Sequence, residues 1–372
     1  MRFMFLGVLF AYLAGNFYIF FRGWQALARF SWAGSTACRI LFPLFFWGAA
    51  LSLFAALFFR GDSLPQWLSG GLYNVGSVWL VFVLYMVLAL FFVDFLRMVF
   101  FRTGKVYVFF ARFGTLAAFC FTSALLLYGF INYKNPRIEE VEVDFSHGEA
   151  SGKTVKIVAV SDVHLGHATG KRSLQRYVKL INEQHPDIIL IGGDLIDNDV
   201  VPLRLHRMWE ELGQLDAPMG IFMVPGNHEY IAGIEAVEDF LRDTPVVLLR
   251  DSSVVLPCGV EIVGRDDRSN RSRKGVAELL SECAGLPVIL VDHQPYEVAL
   301  KDSLGVDFQF SGHTHRGQVW PMSLFVDRMY EQSYGYRKWS NSHVVVSCGL
   351  SLWGPPFRIG TSSDLWVIKM HI

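Results

Sequence analysis

The ten residues from Val155 to His164, VKIVAVSDVH, join a strand-forming run to two potential metal ligands. The run VKIVAV is rich in β-branched residues, which is typical of a buried β-strand. Asp162 and His164 follow directly after it. In open α/β sheets, ligands bind beyond the carboxyl ends of the strands. The stretch therefore predicts a strand that presents a carboxylate and an imidazole to a binding site.

Four later strand-like runs end in the same kinds of side chain. The residues that follow them are Gly192-Gly193-Asp194, Gly226-Asn227-His228-Glu229, Asp292-His293 and Ser311-Gly312-His313-Thr314-His315. Helix-like stretches separate the runs, and this alternation indicates an α/β architecture. Each ending alone has a simpler explanation, as a helix N-cap, a turn or a buried imidazole. Five such endings in succession instead favour one shared ligand-binding edge.

The first 134 residues differ in character from the rest of the 372-residue chain. They contain four uncharged apolar runs, each long enough for a helix that crosses a hydrocarbon core of about 30 Å. These runs are Phe3–Phe21, Ile40–Phe59, Val75–Val93 and Phe113–Ile131. A cleaved signal peptide is the alternative for the first run, but the run is longer than the apolar core of such peptides.

We therefore expect an N-terminal all-α membrane domain of four transmembrane helices over residues 1–134. A polar, acidic linker with one possible edge strand would follow over residues 135–153, and an α/β domain would occupy residues 154–372. The last domain carries most of the acidic residues, since only two of the 34 Asp and Glu residues precede it up to Lys134. This acidic character argues against nucleic-acid binding.

Basic residues in the membrane domain favour one orientation. The loops over residues 22–39 and 94–112 carry seven Lys and Arg residues, against four on the opposite side. Positive residues are enriched in cytoplasmic loops. With four spans, this bias places the C-terminal domain outside the cytoplasm.

The five strand endings resemble the calcineurin-like metallophosphoesterase superfamily, whose pattern is D-x-H, G-D, G-N-H-[DE], H and G-H-x-H. Every block of the pattern is present between Val155 and His315. Together with the membrane segments, the stretch HTHRGQVWP is similar to the bacterial branch near the YkuE-type phosphoesterases and the transmembrane protein with a metallophosphoesterase domain. The resemblance implies a two-sheet β-sandwich flanked by helices, and a multi-pass protein of a bacterial inner membrane.

The resemblance also implies a role for each matching residue. Two divalent ions would be held by seven ligands: Asp162, His164 and His315 on the first, Asn227, His293 and His313 on the second, and Asp194 bridging both. His228 would donate a proton and would not bind metal. Imidazole, amide and carboxylate ligands without a thiolate suit Mn, Fe or Zn.

The predicted activity is that of a metal-dependent phosphoesterase, which cleaves a phosphodiester or pyrophosphate bond by attack of a metal-bridged hydroxide. The membrane domain makes the bilayer a partner and favours a lipid or envelope-linked substrate. Two alternatives stay open. One is a cytoplasm-facing pyrophosphatase of a nucleotide-activated lipid precursor, and the other is a membrane scaffold that binds metal without turnover.

The segment that follows the last histidine, residues 317–339, is aromatic and apolar. These side chains either pack the core of a C-terminal hairpin or form a rim that receives an acyl or prenyl chain. The candidates for such a rim are Trp320, Met322, Leu324 and Phe325. Arg316 is a candidate for contact with the substrate phosphate, with a surface ion pair as the alternative.

Overall fold

The computed structural model of the chain describes residues 2–30, 35–59, 65–101, 104–145 and 154–372. It divides into two compact units. One comprises residues 1–130 with 354–356, and the other comprises residues 131–353 with 357–372.

Long apolar helices make up the first unit. They are α1 (Arg2–Leu27), α2 (Thr36–Phe58), α3 (Gln66–Val99) and α4 (Gly104–Lys134). Each contains a segment long and apolar enough to cross a membrane, namely Leu6–Leu27, Thr36–Ala56, Leu68–Val99 and Gly104–Lys134. The prediction of four apolar helices is thus confirmed. Arg60 and Arg102, which contribute to the predicted charge bias, lie outside the described residues.

Many of the large apolar side chains of these helices point outwards. Phe10, Phe45 and Phe58 are 75%, 71% and 82% exposed. The inner surface, in contrast, contains polar pairs. Trp79 Nε1 donates to Asn16 Oδ1 over 2.8 Å, and the Asp94 carboxylate of α3 accepts hydrogen bonds from Arg22 and Tyr18 of α1. An outward apolar surface with paired polar groups inside is the arrangement that a lipid solvent requires.

The second unit consists of twelve strands and eight α-helices within the described residues. The strands are β1 (Arg137–Asp144), β2 (Thr154–Val160), β3 (Ile188–Ile191), β4 (Ile221–Met223), β5 (Val246–Leu248), β6 (Ser252–Val255), β7 (Glu261–Gly264), β8 (Val288–Val291), β9 (Phe308–Ser311), β10 (Gly335–Lys338), β11 (His343–Val346) and β12 (Asp364–His371). The helices are α5 (Lys171–Asn182), α6 (Val201–Leu205), α7 (Trp209–Leu212), α8 (Asn227–Ala232), α9 (Ile234–Leu241), α10 (Val276–Ser281), α11 (Val298–Ser303) and α12 (Met322–Met329).

The strands form two six-stranded sheets, in the orders β1-β12-β2-β3-β4-β5 and β10-β11-β9-β8-β7-β6. β2 to β5 run parallel, as do β7 to β9, so each sheet gathers several carboxyl strand ends at one edge. The predicted linker contributes β1, an edge strand that pairs in parallel with β12. Its residues 146–153 lie outside the described residues.

The core explains why the strands read as continuous apolar runs. Ile157 and Ala159 of β2 face the other sheet, where they pack in one cluster with Ile289 and Phe310. Val158, on the opposite face, packs in a second cluster with residues of α5, α7 and α9. A strand covered on both faces needs apolar side chains at every position. The predicted two-sheet sandwich flanked by helices is therefore confirmed.

Two local predictions differ from the structure. The helix-like stretch between the second and third strand-like runs, residues 203–212, is divided into α6 and α7, because Arg207 adopts a φ of 51° that a continuous helix does not allow. Residues 322–329, considered as part of a hairpin, form α12, and the hairpin is made later by β10 and β11.

Candidate metal centre

The predicted metal ligands all lie just beyond carboxyl strand ends. Asp162 and His164 follow β2, Asp194 follows β3, Asn227 follows β4, His293 follows β8, and His313 and His315 follow β9. The two sheets face each other across the shared core, so these loops meet at one edge of the sandwich. The structure thus brings together six of the seven residues in compact groups, although they lie more than 150 positions apart at the extremes. The seventh, Asn227, directly precedes His228, whose backbone N–H donates to Asp194.

The first group of ligands comprises Asp162, His164 and His315. Their nearest nitrogen and oxygen atoms all lie within 4.8 Å of one another. His315 Nε2 is 3.4 Å from Asp162 Oδ1 and 3.2 Å from His164 Nε2. Burial lowers the pKa of His315 to about 3, so its imidazole is neutral at physiological pH. A neutral imidazole beside a carboxylate is a suitable donor set for a divalent cation.

The second group comprises Asp194, His293 and His313. His293 Nδ1 donates to the carbonyl oxygen of Gly192 over 2.7 Å, which leaves Nε2 directed at Asp194 Oδ2, 3.2 Å away. Burial opposes a charge on His293, but the Asp194 carboxylate outweighs burial and raises the pKa of His293 well above its usual range. A positive charge is therefore stabilised at this position, where the second metal would lie.

Two buried side-chain atoms among the predicted ligands of the second metal lack a hydrogen-bond partner among the described residues. They are His293 Nε2 and Asn227 Oδ1. A buried polar atom without a partner is costly, and native structures usually satisfy it with protein, water or an ion. The donor set therefore fits a bound divalent ion.

Asp194 connects the two groups. Its Oδ2 is 3.2 Å from His293 Nε2 in one group and 3.9 Å from His164 Nε2 in the other. Its Oδ1 accepts from the backbone N–H of His228 over 2.9 Å. The carboxylate is thus fixed between the two predicted metal positions, as a bridging ligand requires.

His228 lies beside the first group with its Nδ1 already engaged. Nδ1 donates to the carbonyl oxygen of Asp197 over 2.8 Å and lies 3.2 Å from the Asp197 carboxylate. Burial lowers the pKa of His228, but the Asp197 contacts and the Asp194 charge outweigh it and raise the pKa to about 9. His228 is therefore protonated at neutral pH, and Nε2 is the nitrogen that remains to donate a proton.

Sequence reasoning missed Asp197, which serves two histidines at once. Its Oδ1 lies 3.6 Å from His164 Nδ1 as well as near His228. Burial would raise the pKa of Asp197, but the two imidazoles outweigh it and hold the pKa at about 2. Its position three residues after Asp194 is the only signal in the sequence, and this signal does not show which histidines the carboxylate meets.

Glu229 and Arg358 hold the ligand loops from behind. Glu229 accepts from the backbone N–H groups of Asp194, Ile196 and Gly226 over 2.7–2.9 Å, so it ties the β3 loop to the β4 loop. Arg358 is fully buried and donates to the carbonyl oxygen of His315 over 2.9 Å. These contacts fix backbone, and neither residue was singled out from the sequence.

The ligand backbone is unusual. Five predicted ligands have a positive φ between 45° and 70°: Asp162, His164, Asp194, His313 and His315. Such conformations are costly for residues other than glycine and are concentrated at functional sites. Close packing adds a second constraint, since a Cβ at Gly226 or Gly312 would lie 2.1 Å or 2.3 Å from a carboxylate oxygen of Asp194 or Asp162.

Asp292 precedes His293 but does not orient that imidazole. Its Oδ2 lies 2.7 Å from Lys301 Nζ and 3.2 Å from Arg265 Nη1. All three side chains are buried. The carboxylate therefore belongs to an internal ion cluster behind the metal ligands.

The predicted substrate residues are exposed on the segment that follows His315. Trp320 is 47% and Phe325 60% exposed, and Leu324 is similar, so these side chains do not pack in the core. Arg316 lies in an ion pair with Asp327, with its Nε 3.2 Å from Oδ1. An exposed pair of this kind is weak, and a substrate phosphate can compete for the guanidinium.

Comparison with known proteins agrees with this site. The family model described as "Calcineurin-like phosphoesterase" matches residues 155–317. The chain is 30% identical to an uncharacterized metallophosphoesterase of Aquifex aeolicus over 228 residues, 59% of this chain and 86% of that one. It is 32% identical to the transmembrane protein with metallophosphoesterase domain of Danio rerio over 269 residues, 68% of this chain and 61% of that one.

A third relative is the uncharacterized metallophosphoesterase YkuE of Bacillus subtilis. It is 29% identical over 277 residues, 69% of this chain and 94% of that one. The chain spans less than two thirds of the length of some relatives, 64% for a metallophosphoesterase of Helicobacter pylori and 61% for the Danio rerio protein. On these matches, the chain belongs to the calcineurin-like phosphoesterase family.

Proposed function

We propose that the protein is a membrane-anchored phosphohydrolase that cleaves a phosphodiester or pyrophosphate bond in a lipid or envelope-linked substrate with two divalent metal ions. The observation that carries the proposal is the pair of ligand groups with the Asp194 carboxylate between them, 3.2 Å from His293 and 3.9 Å from His164. When bound, two such ions would polarise the phosphoryl oxygens and lower the pKa of a water molecule.

The chain's own residues supply positioning and a proton. Asp194 is held by the backbone N–H of His228, and His293 by the carbonyl of Gly192, so both ligands are oriented before substrate arrives. His228 would give the proton of its Nε2 to the departing oxygen. A positioned acid of this kind contributes about 10²–10⁴-fold to the rate. A scaffold without turnover has no need of this acid.

The start of β1 supports a lipid-linked substrate, because β1 follows closely after α4, a helix long and apolar enough to cross a membrane. Only two residues separate the end of α4 at Lys134 from β1 at Arg137. Arg137 pairs with Asp364 of β12, and Trp366 of β12 pairs with Ala159 of β2. The start of β1 is therefore level with Ser161, two strands away across the sheet, a separation of about 10 Å.

The exposed apolar residues after His315 give a second reason. Trp320, Leu324 and Phe325 would contact an acyl or prenyl chain of a substrate whose phosphate lies at the metal centre, and Arg316 would contact the phosphate after release from Asp327. We further propose that this domain lies on the extracytoplasmic side of a bacterial inner membrane, because the charge bias of the loops favours it. A C-terminal alkaline phosphatase fusion active in cells would support this side, and an inactive fusion would favour the cytoplasm-facing alternative.

The decisive experiment is hydrolysis of bis-p-nitrophenyl phosphate by the detergent-solubilised protein, with and without Mn²⁺. We expect turnover that depends on metal and is lost in Asp194→Asn. Asp239→Asn, an exposed carboxylate that pairs with Arg204 and lies outside the ligand set, is the matched control and should retain turnover. The proposal would be overturned if the metal-loaded protein hydrolysed none of three substrates: bis-p-nitrophenyl phosphate, a pyrophosphate diester and phospholipid in mixed micelles.

A further inference from the structure

A basic loop follows β7 at the metal edge of the second sheet. Residues 265–274, RDDRSNRSRK, contain five basic and two acidic residues. Gly264 at the end of β7 pairs with Val291, and Val291 pairs with Phe310. The loop therefore leaves the sheet at the same level as the loops that carry His293 and His313.

Three of the five basic residues are neutralised within the protein. Arg265 and Arg273 lie 3.2 Å and 3.8 Å from the Asp292 carboxylate. Lys274 Nζ lies 2.6 Å from Glu282. Arg268 and Arg271 are exposed, and in the part of the chain that the structure describes neither has a carboxylate within the 4.0 Å of an ion pair.

Arg268 differs from Arg271 in being seated on an aromatic surface. Its guanidinium carbon lies 4.4 Å from the centre of the Tyr296 ring. Tyr296 in turn contacts Tyr330, with ring centres 5.0 Å apart and hydroxyl oxygens 3.3 Å apart. A cation held over an aromatic face is stabilised and has fewer orientations to lose on binding.

The aromatic surface leads to the metal centre. The ring centre of Tyr330 lies 6.4 Å from that of His313, a predicted ligand of the second metal. A continuous line of contacts thus joins this ligand to an unpaired, oriented cation on the same edge. Guanidinium groups bind carboxylates and phosphates through paired N–H donors. The Arg268 end of this line of contacts is therefore suited to bind an anionic group of a ligand.

We propose that Arg268, supported by Tyr296, binds a second anionic group of the substrate, separate from the phosphate that is cleaved. This inference rests on the proposed function and narrows its substrate class to phosphoesters with at least two anionic groups. Arg268 would hold the second group on the side of His313, opposite His228, and so fix the direction in which the substrate lies.

The test compares two phosphodiesters of equal size and different charge, bis(4-carboxyphenyl) phosphate and bis(4-carbamoylphenyl) phosphate. Binding of each to the full-length, detergent-solubilised protein with Mn²⁺ is measured by calorimetry. We expect the wild type to bind the carboxylate about tenfold more tightly, since a charge-assisted hydrogen bond at an exposed site contributes about this much. The preference should shrink in 0.5 M NaCl, because salt screens exposed charges.

Three variants identify the residue responsible. Arg268→Gln should abolish the preference without changing binding of the neutral ester, and Arg268→Lys should retain part of it. Arg271→Gln is the matched control, an exposed arginine of the same loop without an aromatic neighbour, and should retain the preference. A wild type that binds both esters equally, or an Arg271→Gln variant that loses as much as Arg268→Gln, would overturn the inference.

The binding assay needs no turnover, so the two proposals can fail separately. If the wild type hydrolyses bis-p-nitrophenyl phosphate but shows no preference for the charged ester, only the proposal for Arg268 is contradicted. If the wild type prefers the charged ester but hydrolyses no phosphoester, the anion site at Arg268 is supported and the proposed phosphohydrolase function is contradicted.

Discussion

Both units compensate the charge of carboxylates that are partly or fully removed from solvent, but they do so in different ways. In the first unit, Asp94 accepts from Tyr18 and Arg22, and Arg97 lies 3.1 Å away, so the chain supplies the compensating charge itself. At the metal edge, Asp162 and Asp194 face imidazoles, and His293 Nε2 has no hydrogen-bond partner within the described chain. The first arrangement is complete in itself. The second is completed by cations from solution, and such a site gains its stability only when they bind.

The largest effect should come from removing the shared carboxylate. Asp194→Asn takes away the charge that both ligand groups use, so we expect the bound metal to fall below one equivalent and turnover to fall to background. The metal-free variant should unfold at a lower temperature than the metal-free wild type. Although burial opposes it, contact with His293 and His164 holds the pKa of Asp194 below its usual range, so the ionised carboxylate stabilises the metal-free fold. Metal analysis and thermal unfolding with and without EDTA measure both effects.

If EDTA lowered the unfolding temperature of Asp194→Asn as much as that of the wild type, the contrast between the two units would be contradicted. The wild type should lose thermal stability on chelation, by about 2.7 kcal/mol for each metal site when free metal had stood at one hundred times its dissociation constant. Asp94→Asn, in the first unit, should leave the response to EDTA as it is in the wild type.

Replacing His228 separates proton donation from metal binding. His228→Asn should lower kcat by about 10²–10⁴-fold and leave two metals bound, because Nδ1 is engaged by Asp197 and not by a metal. His167→Asn, an exposed histidine on the β2 side of the site, is the control and should change neither quantity. Loss of metal in His228→Asn would show that this imidazole is a ligand, as its closeness to His164 and Asp194 allows.

A smaller effect is expected from replacing Asp94, whose compensating charges come from the chain itself. Asp94→Asn leaves the Arg22 guanidinium without its partner among apolar helices, and we expect a loss of about 2–3 kcal/mol of stability in detergent. The phosphoesterase activity per folded molecule should stay normal. Asp239→Asn breaks the exposed pair with Arg204 and should cost less than about 1 kcal/mol. Equal losses in the two variants would show that burial of the first pair adds nothing.

A further effect, confined to one range of pH, concerns a buried carboxyl group behind the site. Burial raises the pKa of Asp364 from 3.8 to about 6, although Ser347 and Cys348 donate to it. Because the folded-state pKa is the higher one, the stability from this group is complete below about pH 4 and is lost as the pH rises through about 6. Between pH 4 and 7, the melting temperature of Asp364→Asn should depend less on pH than that of the wild type. A variant with the same pH profile as the wild type would argue that Asp364 stays ionised.

The candidate metal ligands can be predicted from the sequence because each follows a strand-like run, and parallel strands bring their ends to one edge. Asp162, Asp194 and His293 could be named on this ground. Asp197, Arg358 and Arg268 could not, because their partners come from distant parts of the chain. Arg268 meets Tyr296 across a strand and a loop, and Arg358 reaches the carbonyl of His315 from 43 residues away. Periodicity also gave no sign of the break at Arg207, where one backbone torsion divides α6 from α7.

The short connection between α4 and β1 has a kinetic consequence. Only two residues separate β1 from α4, which is long and apolar enough to cross a membrane, so the chain itself ties the domain with the metal site closely to its membrane segment. A substrate in the same bilayer, as we propose, would be encountered by lateral diffusion, and its mole fraction in the membrane would set the rate. Diluting that substrate with inert lipid would slow the reaction at constant bulk concentration, whereas a water-soluble ester would be hydrolysed at the same rate throughout.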